Sequence, residues 1–325
     1  MKRIVLIVVL TLAVAVVVLN WTWARLPGEP PMTGRLVHLQ DATVRVLERP
    51  GRDPAVVLLH GLPGTAQDFD KVTALLPGIH TIAFDRPGFG YSSGGYHPWA
   101  QQLATIRQLL AKLRVRGPVV LVGHSYGGTL ALAYAEAHPG AVRGLVLLDA
   151  AAAGQHSDAF RRAQSRFVQV LSWPLVQPLA DVTFSQLLRT VSAKQGDAQA
   201  FDPGAVDPAH EHRVLALNMQ HSDLDAYAGE QLHADGVIAG VDKGLASIAV
   251  PAVVIQGVGD QLVTPAHGRR LAATLPHARL VMVSGGHMAP YVHPALIAAA
   301  IRRMLAPATR PQALRARGRA RSAAR

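Results

Sequence analysis

Gly123-His124-Ser125-Tyr126-Gly127 sets a serine between two glycines, where the apolar run Val119-Val120-Leu121-Val122 gives way to the helical pattern of Leu130 to Ala137. A continuous apolar run of this length reads as a parallel strand covered on both faces, and the helix after it ends near Pro139-Gly140. A serine on so abrupt a bend projects its hydroxyl away from the chain. Glycine two positions to either side admits the close backbone approach that such a bend requires. The N-terminus of the following helix favours negative charge developing beside the hydroxyl. The chemistry this arrangement suits is nucleophilic attack by Ser125 on an acyl carbon.

The strand, serine and helix together resemble the nucleophile elbow of the α/β-hydrolase superfamily, and the resemblance covers roughly Arg35 to Leu305. It implies an α/β fold with a mostly parallel central sheet of about eight strands flanked by helices, plus a helical cap insertion. It also implies partners for Ser125. Asp260 lies beyond the run Ala252 to Gly257, and His287 beyond Arg279 to Val283, so Ser125, Asp260 and His287 stand in the superfamily's chain order, each past the carboxyl end of a strand. In that family the histidine takes the serine proton and the acid orients the imidazole. Asp149 ends the run Leu145 to Leu148 and occupies an earlier strand end from which some members take their acid. His60-Gly61-Leu62-Pro63-Gly64 resembles the family's oxyanion loop, which implies that the backbone N–H groups of Leu62 and Tyr126 hold the developing oxyanion.

Asp85-Arg86-Pro87-Gly88-Phe89-Gly90-Tyr91-Ser92 resembles a loop of the esterase, epoxide-hydrolase, dehalogenase and carbon–carbon-bond-hydrolase branches, and Asp85 and Arg86 are expected to hold it by an ion pair. A serine at the elbow departs from dehalogenases and epoxide hydrolases, whose nucleophile is aspartate. The resemblance therefore implies hydrolysis of carboxylic esters of small to medium size through an acyl-enzyme, with a small-molecule ester or acyl substrate, no cofactor and no metal. The same triad also serves carbon–carbon and amide hydrolases, including aminopeptidase-like members, and cofactor-free haloperoxidase-like enzymes. The alternative from a different class is a non-catalytic, membrane-bound member of the fold.

Several elements must position these residues. Arg35 to Leu39 and Val44 to Glu48 read as an antiparallel hairpin at the sheet edge, Ala55 to Leu59 and Thr81 to Asp85 as strands, Asp68 to Leu76 and Leu103 to Leu113 as helices, and Pro294 to Leu305 as the closing helix. About 100 residues separate the strand ending at Asp149 from the next, with helical stretches at Asp158 to Leu171 and Pro208 to Met219 and loop signals at Gly196 and Asp202-Pro203-Gly204. His210-Glu211-His212, with His221 and Asp223, invites a metal reading. The two-residue spacing places His210 and His212 on different helix faces, so a solvated polar face is expected instead.

The 325 residues are 50% hydrophobic and include no cysteine, which excludes disulfides, thiol nucleophiles and cysteine-ligated metals. Of the net charge of +11, Lys2 and Arg3 carry two and the six arginines from Arg310 to Arg325 carry six, leaving +3 on the body. A body so nearly neutral argues against a nucleic-acid partner. The 20 residues from Ile4 to Trp23 suffice to cross a bilayer, and Lys2 and Arg3 would stay cytoplasmic. The expected organisation is therefore a transmembrane signal-anchor over 1–24, a linker over 25–34, the core in two parts at 35–150 and 249–306, a helical cap over 151–248, and a basic disordered tail over 307–325. The expected location is a single-pass membrane protein with its catalytic domain extracytoplasmic. The alternative is secretion after cleavage near Ala24.

Overall fold

The computed structural model describes residues 30–154, 185–217 and 221–306, together with 7–8, 10–15, 17–18, 28, 166 and 170. The elements run β1 (Arg35–His38), β2 (Thr43–Arg49), β3 (Arg52–Leu59), α1 (Asp70–Ala74), β4 (Ile79–Phe84), α2 (Trp99–Lys112), β5 (Val119–His124), α3 (Tyr126–Ala137) and β6 (Val142–Leu148). Next come α4 (Ser185–Phe201), α5 (Pro208–Leu217), α6 (His221–Gly244), β7 (Ala252–Gly257), α7 (Pro265–Thr274), β8 (Ala278–Val283), α8 (Ala289–Val292) and α9 (Pro294–Leu305). The eight strands form one sheet in the order β1-β2-β4-β3-β5-β6-β7-β8. The edge hairpin is antiparallel, as its sequence suggests, β2 also pairs antiparallel with β4, and every later pairing is parallel.

Alternation along the strands builds two cores. Val57, Leu59 and Leu121 face Ile106, Leu130 and Ile238 on one side of the sheet, whereas Val56, Leu58 and Val122 face Val72, Ile297 and Ile301 on the other. Both faces are covered, which is why the central strands read as unbroken apolar runs.

Among the described residues, three α-helices, α4 to α6, lie between β6 and β7. The helix expected over Pro208 to Met219 is found as far as Leu217, and the one expected over Asp158 to Leu171 lies almost wholly outside the described residues. The loop expected at Gly196 is corrected: Gly196 is inside α4, where a Cβ would meet nothing within 4 Å. The 24-residue α6 gave no clear sequence signal because it carries Gly229, Gly236 and Gly240. At Gly229 the glycine serves packing, since a Cβ there would lie 2.3 Å from the Tyr96 ring.

The membrane expectation is corrected as well. Among the described residues no helix is long and apolar enough to cross a membrane. The helical positions described within 1–24 fall short of the roughly 20 consecutive residues a span requires. This overturns the single-pass location and the membrane contact through an N-terminal helix. The cleavage position near Ala24 and the tail over 307–325 lie outside the described residues.

The expected Asp85–Arg86 pair is not made either. The two neighbours turn opposite ways: Asp85 pairs with Arg45 of β2 through Nε at 2.7 Å and Nη2 at 2.8 Å, and Arg86 pairs with Glu230 of α6. Asp85 also accepts the N–H of Ala66 at 2.8 Å and of Tyr91 at 3.0 Å, so one buried carboxylate ties the hairpin to the loops after β3 and β4. Burial pushes the Asp85 carboxyl up, and Arg45 opposes it. Arg45→Met should leave that carboxylate without its countercharge and lower stability by about 3–5 kcal/mol. A urea melt checks this, and a loss within about 0.5 kcal/mol, the range of a neutral surface change, would contradict it.

Candidate active site

At the end of β5 the chain turns through Ser125, whose backbone sits at φ 52° and ψ −121°, in the left-handed half of the map where a side chain is strained by about 1–3 kcal/mol. The flanking glycines make the turn possible. A Cβ on Gly123 would lie 2.4 Å from Gly127 O, and one on Gly127 would lie 2.1 Å from Leu59 O. The elbow is anchored by Ser125 N–H to Leu148 O at 2.9 Å and by the N–H groups of Gly128 and Ala151 to Ser125 O at 2.9 and 3.1 Å. Ser125 itself is half-buried.

Pairing between β7 and β8 continues past the strand ends, with Val258 N–H on Val283 O at 2.8 Å and Gly259 N–H on Gly285 O at 2.9 Å. That extension brings together the two loops bearing Asp260 and His287. His287 Nδ1 and Asp260 Oδ2 are 2.8 Å apart and buried. Asp260 Oδ1 accepts the N–H groups of Leu262 and Val263 at 2.8 and 2.9 Å, and Gln256 Nε2 donates to Oδ2 at 3.1 Å. Burial pushes the Asp260 carboxyl up, but the His287 charge and these hydrogen bonds outweigh it and hold the group below its ordinary value.

His287 is fixed by its backbone too. Its N–H donates to Ala200 O at 2.7 Å, at the end of α4, and its carbonyl accepts His124 Nε2 at 2.7 Å. Burial lowers His124 to about 3, with His287 adding to the effect, so His124 is neutral near pH 7 and Nε2 carries the proton it donates. The His124 and His287 rings lie 4.9 Å apart, which brings the residue preceding Ser125 against the histidine loop.

On the other flank, the loop after β3 abuts the elbow: a Cβ on Gly61 would meet Ser125 Cβ at 3.1 Å and His124 Nδ1 at 3.0 Å. Leu62 is half-buried in this loop, and Tyr126 opens α3, where a first-turn N–H has no partner within the helix. The loop is braced from beneath. Arg86 N–H donates to His60 Nε2 at 2.8 Å, and His60 Nδ1 lies 3.0 Å from Gly61 O. Burial, with Arg86 adding to it, holds His60 well below its ordinary value, consistent with a neutral ring donating through Nδ1 and accepting at Nε2.

Sequence reasoning singled out Ser125, Asp260, His287, Leu62 and Tyr126, and the fold gathers all five at the carboxyl ends of β3, β5, β7 and β8. It missed His124 and Ala200, whose contacts with His287 are remote in sequence, and Gln256, which reaches Asp260 four residues on but belongs to no motif. It also misjudged His210. That ring is buried, 3.2 Å from Asp197 Oδ1 and packed edge-on against Tyr291, whose hydroxyl bonds Asp68 and Arg213. His212 is exposed, and the side chains of His221 and Asp223 lie outside the described residues.

Among the described residues, His124, Asp149 and His287 offer possible metal-ligating atoms within 4.8 Å of one another. Asp149 accepts Gly257 N–H at 2.8 Å and Ala289 N–H at 3.3 Å, and His124 Nε2 is spent on His287 O, while the buried His124 Nδ1 has no hydrogen-bond partner among the described residues. His287 Nδ1 is taken up by the Asp260 carboxylate. The bonds these three residues make brace the loops around the elbow.

Burial raises Asp149 to about 7 from an ordinary 3.8. Between those values the folded chain binds a proton that the unfolded chain has released, so stability should decline as pH rises through the window, by up to about 1.4 kcal/mol per unit. Asp149→Asn should flatten that slope. Urea melts at pH 4.5 and 7.5 test it, and an unchanged slope in the variant would contradict the assignment.

Comparison with known proteins bears on the whole arrangement. A family profile described as alpha/beta hydrolase fold matches residues 54–294. The chain is 27% identical to a poly(3-hydroxyalkanoate) depolymerase from Ectopseudomonas oleovorans, covering 79% of this chain and 87% of that one. It is 32% identical to Lipase LipV of Mycobacterium tuberculosis, covering 79% and 95%. The enol-lactonase of Burkholderia xenovorans superposes with a TM-score of 0.69 at 19% identity, covering 83% and 99%, a likeness of fold. Built on an eight-stranded, mostly parallel sheet and matched by that profile over most of its length, the chain belongs to the alpha/beta hydrolase fold family.

Proposed function

We propose that the protein is a serine hydrolase that cleaves carboxylic esters of small to medium substrates through Ser125, His287 and Asp260. The observation that carries the reading is the buried 2.8 Å contact between His287 and Asp260, set beside a serine held at positive φ. With Nδ1 engaged by Asp260, His287 Nε2 takes the Ser125 proton as Oγ attacks the acyl carbon. The N–H groups of Leu62 and Tyr126 hold the oxyanion. His287 then protonates the departing alcohol, and water activated by the same ring releases the acid. Relatives named as a depolymerase, lipases and a methyl ester esterase support ester hydrolysis as the reaction class.

The helices α4 to α6 serve in this reading as a cap over the site. The contact of Ala200 with the His287 backbone supports that placement, as does the tight fit at Gly286, where a Cβ would lie 2.2 Å from Asp202 O. A cap bounds the pocket, which limits acyl length.

A fluorophosphonate probe should label Ser125 in the wild type and fail to label Ser125→Ala. Asp260→Asn should lower kcat by about 10³ to 10⁴, because it disturbs the tautomer the base requires. Asp149→Asn should stay within about tenfold of wild type, a loss of no more than about 1.4 kcal/mol in the barrier. Severe loss in Asp149→Asn with near-normal activity in Asp260→Asn would reverse the assignment of the acid.

Across p-nitrophenyl esters of increasing chain length, kcat/KM should rise by up to about fourfold per methylene, the equivalent of about 0.8 kcal/mol, and then drop once the pocket is full. Activity that keeps rising through long chains and jumps at a lipid–water interface would point instead to a lipase.

A further inference from the structure

Directly beneath the loop carrying Leu62, a guanidinium is buried with a carboxylate from a different part of the chain. Arg86 is 2% exposed, and so is Glu230 of α6, to which its Nη1 donates. Arg86 Nη2 donates to Gly61 O at 2.8 Å, one residue before Leu62, and Nη1 also reaches Gln102 Oε1 at 3.4 Å. Its guanidinium lies over the Tyr126 ring at 5.1 Å and the Phe89 ring at 4.7 Å. One side chain thus touches the neighbour of one proposed oxyanion donor and the ring of the other.

We infer that Arg86 is a positioning residue for the oxyanion hole and that Glu230 sets Arg86, so the hole is completed by a residue of the inserted helices. The inference rests on the proposed function. A guanidinium suits the task because its planar fork bonds Gly61 O and the carboxylate in two fixed directions while stacking on an aromatic face. Withdrawing Arg86 leaves the Gly61 carbonyl with the 3.0 Å contact to His60 Nδ1 as its remaining side-chain partner, which loosens the peptide that orients Leu62 N–H, and small displacements of such donors carry large rate costs. Glu230 is itself held firmly. Two other acids anchor α6, with Asp225 accepting Tyr96 N–H at 2.8 Å and Asp242 accepting the N–H groups of Ala153 and Gly154 at 2.7 and 2.6 Å. Replacing the carboxylate should leave the guanidinium without the countercharge that fixes its direction.

The test uses the full chain with p-nitrophenyl butyrate as substrate, a butyl boronic acid as tetrahedral analogue, and stoichiometric fluorophosphonate titration to count competent sites. Per titrated site, Arg86→Met should lower kcat about 100-fold and Glu230→Gln about 10-fold, with KM changed by less than about threefold and boronate affinity falling in parallel with kcat. Arg86→Lys keeps the charge but cannot span Gly61 O and Glu230 together, so it should not rescue kcat. Should Arg86→Met fail to fold, Glu230→Gln and Arg86→Lys decide the matter. A purely structural ion pair predicts fewer titratable sites, a lower Tm, wild-type kcat per site and rescue by lysine, and that pattern would overturn the inference. If the wild type is not labelled at Ser125, the proposed function falls and takes this inference with it. Labelling at Ser125 together with unchanged kcat and boronate affinity in the variants removes the inference alone.

Discussion

Close packing of α3 on the strands that precede it is the constraint from which the site follows. With no side chain at Gly123 and Gly127, the first turn of α3 comes against the Leu59 carbonyl, at a distance no Cβ would allow. The chain can leave β5 for α3 only through a residue at positive φ, and Ser125 is that residue. The strain at this one position is sustained by the carbonyl and N–H bonds that clamp Ser125 to Leu148, Gly128 and Ala151. The direction of its Cα–Cβ bond is thereby set by backbone geometry, before any neighbouring side chain acts on the hydroxyl.

Around that point the sheet supplies fixed strand ends and the loops supply the chemistry. The extended pairing between the loops after β7 and β8 makes the Asp260–His287 contact a consequence of strand register. His124 ties the elbow to His287 from one side and Ala200 ties α4 to it from the other. The neighbours Asp85 and Arg86 divide the remaining support: one fastens the edge hairpin through Arg45, and the other fastens the loop carrying Gly61 and Leu62 to α6 through Glu230. Each pair is buried, so each loses much if one partner is removed.

What the sequence made legible was local or periodic. Apolar runs marked the central strands, helical spacing marked α2, α3 and α9, and the elbow announced itself because its glycines have a steric reason at fixed offsets from Ser125. What stayed hidden depends on contacts distant along the chain. Nothing near Asp85 shows that its partner is Arg45, forty residues earlier, or that Arg86 reaches Glu230, 144 residues later. Gly196 read as a loop, yet it sits inside α4, and nothing in the structure explains a glycine there. His210 read as polar surface because its partner Asp197 comes from a different helix. The apolar N-terminal run read as a membrane span on its length, its composition and the flanking Lys2 and Arg3, and the described helices do not provide one.

The central claim is that Ser125 is the nucleophile and that the N–H groups of Leu62 and Tyr126 receive the oxyanion. A crystal structure of the protein after reaction with a small alkyl fluorophosphonate tests it most directly. The expected result is phosphorus bonded to Ser125 Oγ, with the phosphoryl oxygen about 2.7–3.1 Å from both backbone nitrogens and His287 Nε2 facing the substituted oxygen. An adduct on any other residue, or a phosphoryl oxygen turned away from Leu62 and Tyr126, would contradict it.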